Sequence, residues 1–114
     1  MSGGISFDSR RSWMVSGWIF EALVEEAYVH AGPRSDVTYW LQVGLANNLV
    51  ALELREQQLA ADMLEALRSA AESDVSKISS GESAGTKDDQ LYRGALLRLL
   101  EMIETYRNGS AGGS

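Results

Sequence analysis

Residues 9–20 read SRRSWMVSGWIF, and the reading of this stretch decides the fold. Paired arginines ahead of an apolar run allow three readings: an export signal, a membrane foothold or the first core helix. The apolar run from Trp13 to Phe20 is interrupted by Gly17 and closed by Glu21, with Glu25 and Glu26 following. A signal core of about 7–15 apolar residues does not tolerate carboxylates placed there. No stretch of the chain approaches the roughly 20 apolar residues of a membrane span, so no membrane association is expected. Val15, Ile19, Leu23 and Ala27 recur at helical spacing, with Trp18, Phe20 and Ala22 widening the stripe. Asp8 or Ser9 is placed as N-cap, and HAGP at 30–33 supplies a stop through Gly32 and Pro33. The stretch is read as the start of a core helix over about residues 8–30.

Working outward, the next apolar seam is Leu41, Leu45, Leu49, Leu52, then Leu59, Met63, Ala66 and Ala70, interrupted at Glu56. It predicts a second helix over about 36–72, packed along its length against partners. Gly44 and the pair Asn47–Asn48 weaken it by roughly 0.7–1 kcal/mol each relative to alanine. The helix is therefore either long or kinked near 44–48, and the unbroken phase of the seam favours the long form. Residues 73–87, SDVSKISSGESAGTK, read as a flexible Ser/Gly-rich linker, too poor in apolar content to offset the entropy of ordering. The third helix is expected over about 88–107, capped by Asp88 or Asp89. Its seam is Tyr92, Leu96, Leu99, Ile103 and Tyr106, flanked by Leu91, Ala95, Leu97, Leu100 and Met102. An apolar arc this wide is expected to be buried on several sides, which suggests homodimerisation. Residues 108–114, NGSAGGS, read as a disordered tail. The expected fold is thus all-α, a bundle of three main helices in a single domain over 1–107.

Composition bounds the function. The 114 residues hold no cysteine and one proline, and net charge is −6. The missing cysteines exclude disulfides, thiolate metal sites and cysteine nucleophiles, and suit a cytoplasmic protein. Apart from Arg10–Arg11 there is no cationic cluster, so nucleic acid is not an expected partner. An acidic surface suits a basic protein partner, although such a charge also serves solubility alone.

Catalytic chemistry is thinly represented. The single histidine, His30, falls at a helix end where the dipole favours an imidazolium, with Glu26 one turn before it. The di-iron carboxylate bundles need Glu-x-x-His at spacing three and a second histidine, and neither is present. GESAGTK at 81–87 lacks the spacing of a phosphate loop. Carboxylates pair along helix faces at Glu53/Glu56, Asp62/Glu65 and Glu101/Glu104. Glu53-x-x-Glu56, with Glu21 and Glu25, loosely resembles the all-helical nucleotide pyrophosphohydrolases, which hold magnesium on such motifs. That resemblance implies Glu53 and Glu56 as weak metal candidates. Solvated helix faces give the same pattern.

Glu56 interrupts the apolar seam and reads as a buried polar residue fixing helix register. Trp13, Trp18, Tyr39 and Trp40 are candidates for a ligand pocket or an interface, as are Leu97 and Leu100 on the surplus face of the last helix. Three function classes follow. The first is a non-enzymatic interaction module, a small acidic helical adaptor, immunity protein or antitoxin-like regulator needing no cofactor. The second is a small-molecule-binding bundle with an aromatic pocket. The third is a magnesium-dependent nucleotide hydrolase.

Overall fold

A computed structural model of the chain describes residues 2–8, 10–33, 35–80 and 87–112. In order they form strand β1 (Ser2–Ser6), strand β2 (Ser12–Ser16), helix α1 (Gly17–Ala31), helix α2 (Ser35–Asn47) and strand β3 (Leu49–Ala51). A 3₁₀ turn (Leu52–Leu54) leads to helix α3 (Gln57–Ser79), and helix α4 is Lys87–Gly112. Among the described residues the fold is α+β, with four helices and a three-stranded mixed sheet. This corrects the all-α bundle of three main helices (about 8–30, 36–72 and 88–107).

The first correction lies in the opening stretch. Residues 12–16 are a strand, and the helix begins only at Gly17. Asp8 does accept main-chain hydrogen bonds from the second and third residues after it, as an N-cap would. Its Oδ1 takes the N–H groups of Arg10 and Arg11, both at 2.8 Å. Here, however, the bonds close a turn rather than open a helix. The Phe7 N–H donates to the Arg11 carbonyl at 2.9 Å and sends the chain back along β1. Ser9, the other cap candidate, lies outside the described residues. Ser16 takes the N-cap position of α1 without a side-chain capping bond.

The sheet runs in the order β2-β1-β3, with β1 antiparallel to β2 and parallel to β3. Strand alternation sorts its side chains into two faces. Trp13, Ile5 and Val50 form one cross-strand row, each 1% exposed or less. Met14, Gly4 and Leu49 form the next row on the opposite face, where Met14 is 49% and Leu49 39% exposed. The buried face carries α1 and α2. At Gly3 the approach is so close that a Cβ would stand 2.6–2.7 Å from the Cβ, Cγ and Cδ2 of Phe20 in α1. At Gly44 in α2 a Cβ would stand 2.6 Å from Cγ2 of Val50. The residue expected to weaken a helix here admits a strand against it. Phe20, Leu23, Val24, Ala27 and Leu41 complete this core.

The second correction is the central helix. It is neither long nor kinked but divided, because Asn48 adopts φ +58° and ends α2. Asparagine tolerates that left-handed conformation better than other residues bearing a Cβ. The Asn48 carbonyl accepts the Gly4 N–H at 3.1 Å, which brings Leu49–Ala51 alongside β1. The seam read from Leu41 to Leu52 breaks in this strand, where Leu49 is exposed and Val50 takes the buried position.

The chain divides into two compact units, Met1–Ala70 and Ala71–Ser114. In the first, Met63, Leu64, Ala66, Leu67 and Ala70 of α3 are buried. In the second, α3 continues to Ser79, so residues 73–79 of the expected linker are helical, while 81–86 lie outside the described residues. The Tyr92 hydroxyl donates to Asp74 Oδ2 at 2.6 Å, and Arg93 Nε donates to Ser79 Oγ at 3.2 Å. Of the expected seam, Tyr92, Leu96, Leu99 and Ile103 are buried. Its flank is not, since Leu91 is 54% and Leu97 40% exposed. Helix α4 also continues to Gly112, past the stop expected at 107. No helix among the described residues is long and apolar enough to cross a membrane.

Candidate protein interface

The exposed aromatic residues are sorted by the elements that carry them. Trp13 is 1% exposed and belongs to the core row of the sheet. Trp18, in the first turn of α1, is 46% exposed. Tyr39 and Trp40 lie together in the first half of α2. Val37, Leu41 and Gly44 are the buried positions of that helix, so Tyr39 falls on its outward side, where it is 58% exposed. Leu97 is exposed on α4 and Leu100 is half-buried.

Tyr39 and Trp40 meet edge to face, with ring centroids 5.0 Å apart and planes at 86°. The guanidinium carbon of Arg55 lies 3.8 Å from the centroid of Trp40. Arg55 follows the 3₁₀ turn, donates its N–H to the Leu52 carbonyl at 3.1 Å, and reaches back with Nε to the Ala51 carbonyl at 3.5 Å. The turn thus fixes the base of the side chain while its head stacks on the indole. Leu54, its neighbour in sequence, is 71% exposed. Tyr39, Trp40 and Arg55 therefore form an ordered aromatic–arginine patch with an exposed leucine beside it in the chain. Tyrosine, tryptophan and arginine are the residue types that dominate binding energy at protein interfaces. Sequence spacing had marked Tyr39 and Trp40 but not Arg55. No periodicity joins positions 40 and 55, because a strand and a 3₁₀ turn intervene.

The carboxylates are assigned elsewhere. Glu53 Oε1 accepts the Ser6 hydroxyl at 2.5 Å, tying the 3₁₀ turn to the end of β1. Glu56 is exposed rather than buried and caps α3: its two carboxylate oxygens accept the Gln58 and Leu59 N–H groups, both at 3.1 Å. It breaks the apolar seam because the helix starts there, and its exposure replaces the buried position expected of it. Among the described residues no three metal-ligating side chains converge.

His30 lies 3.4 Å from Glu26, the pairing expected of that spacing. A shallow depression of about 190 Å³ lies beside it, lined by His30, Ala31, Val37, Asp62, Glu65, Ala66 and Ser69. Its walls contain none of the tryptophans or tyrosines expected to line a ligand pocket.

No protein-family model matches the chain, and no curated protein or solved structure is significantly similar to it.

Proposed function

We propose that the chain is a non-enzymatic protein-interaction module that binds a basic protein partner through Tyr39, Trp40 and Arg55. The observation that carries this reading is the stacking of Arg55 on Trp40 with Tyr39 edge-on. It holds three interface-type side chains in a fixed geometry while Tyr39 stays largely exposed. Preordered side chains lose little entropy on binding. Acidic residues neighbour the patch along the chain: Asp36 precedes Trp40 by one helical turn, and Glu53 and Glu56 flank Leu54–Arg55 in sequence. With a net charge of −6, this setting supports a basic partner and steers its approach. The cysteine-free composition supports a reducing compartment such as the cytoplasm.

The test is capture from native cell extract at low and moderate salt, comparing wild type with the double variant Tyr39→Ala/Trp40→Ala. A stoichiometric basic protein held by the wild type and lost from the variant supports the reading, provided circular dichroism shows the variant folded. Equal retention by both chains would exclude the patch as the contact surface.

A further inference from the structure

We propose that β2 is a self-association edge, through which two copies of this chain pair antiparallel about a two-fold axis at Met14. Among the described residues β2 is the outermost strand on its side of the sheet. The Phe7 N–H to Arg11 carbonyl bond fixes which main-chain groups face β1. By alternation those of Trp13 and Val15 also face β1, and those of Ser12 and Ser16 point away from it. Ser12, Met14 and Ser16 are all exposed.

Charge selects the occupant of this edge. Arg10 and Arg11 stand exposed at one end of β2. At the other end α1 begins, presenting Glu21 and Glu25 on the same exposed face as Trp18. Five strand residues separate the two ends by about 16 Å, beyond the reach of an ion pair. Among the described residues none of these four charged groups enters an ion pair. An antiparallel second copy reverses the polarity, so each arginine corner faces the partner's α1, whose exposed carboxylates Glu21 and Glu25 lie about one and two turns in from its start. With Met14 on the axis, Ser12 falls opposite Ser16, which brings the Arg10–Arg11 corner beside the start of the partner's α1. Met14, 49% exposed, stands on the axis at the outer face, with its thioether leaning back over Gly4 of its own β1. The interface is self-complementary, as two-fold symmetry requires. It extends the sheet to six strands, a common way of satisfying an open edge. Its ion pairs are exposed, so salt weakens the association. This surface is separate from the Tyr39–Trp40–Arg55 patch.

The test is sedimentation equilibrium of the full chain across micromolar to submillimolar concentration, at low and high salt. Two charge-reversed variants are included, Arg10→Glu/Arg11→Glu and Glu21→Arg/Glu25→Arg. The expected result is a wild-type dimer at low salt and a monomer for each variant alone. An equimolar mixture of the variants regains the doubled mass, because the heterodimer restores both charged corners. Met14→Cys introduces the chain's one cysteine, and mild oxidation should link two copies through it. A monomeric wild type, a variant that dimerises as the wild type does, or a mixture that stays monomeric would each overturn the proposal. So would a Met14→Cys chain that dimerises without cross-linking.

Discussion

The Arg55 guanidinium lies 3.8 Å from the centroid of the Trp40 ring, linking α2 to the segment that leads into α3. Asn48, β3 and the 3₁₀ turn separate the two residues in the chain. The contact therefore exists only because Asn48 turns the chain back and β3 pairs with β1.

Arg55→Ala removes the cation and the covering stem from the indole. An exposed cation–π contact is worth about 0.5–1 kcal/mol, and urea unfolding should show a loss of that order. The same variant should weaken retention of the basic partner. Arg55→Lys should recover part of the stability but less of the binding, since an ammonium does not stack as a planar guanidinium does.

Glu56→Ala strips the acceptors from the start of α3, leaving the Gln58 and Leu59 N–H groups without their carboxylate. The expected loss is about 1 kcal/mol. Glu56→Asp should stay within a few tenths of wild type, because a shorter carboxylate still serves as a cap. If instead Glu56→Leu raised stability, the apolar seam would run through this position and the capping role would be wrong.

Asn48 is the non-glycine residue with positive φ among those described. Asn48→Gly should leave stability near wild type, whereas Asn48→Val should lower it by about 1–2 kcal/mol through the Cβ–carbonyl clash. Thermal unfolding of the pair reads the difference directly, and equal melting temperatures would show that the left-handed residue is not needed.

Neighbouring leucines on α4 should respond very differently to truncation. Leu96 is fully buried, and Leu96→Ala should cost about 2–5 kcal/mol. Leu97 is 40% exposed, and Leu97→Ala should cost under about 1 kcal/mol in the isolated chain. Comparable losses at both positions would mean that the wide apolar arc is buried after all.

Much of the helical part was legible in the sequence. Ile19, Leu23 and Ala27 are buried on α1 at the spacing read from the chain, as are Tyr92, Leu96, Leu99 and Ile103 on α4. Asp8 was recognisable as an acceptor for main-chain N–H groups, because its chemistry is the same in a helix cap and in a turn. The strands were not recognised. In Ser12–Ser16 the residues Trp13 and Val15 fit a two-residue period as well as the edge of a helical stripe. Five residues are too few to separate the two. The glycines at 3 and 4, and a short apolar run with aromatic and β-branched residues bounded by Ser12 and Ser16, were the available signals for a hairpin.

Local chemistry by itself determined that most of 17–30, 57–72 and 88–107 is helical, which residues line the buried seams of α1 and α4, where Asn47–Asn48 weakens the chain and how the charge is distributed. Those properties depend on residues within a turn or two of each other. Tertiary structure decided that Leu49–Ala51 becomes a strand, that Glu56 opens a helix instead of interrupting one, and that Arg55 lies on Trp40. The strand and the Arg55 contact depend on groups of distant segments finding each other: β3 pairs its main chain with β1, and the 3₁₀ turn is tied to the Ser6 hydroxyl through Glu53. The propensity differences of a few tenths of a kcal/mol to about 1 kcal/mol per residue that sequence expresses are smaller than the gain from burying Val50 and Leu52 while the backbone stays hydrogen-bonded, so the pairing prevails.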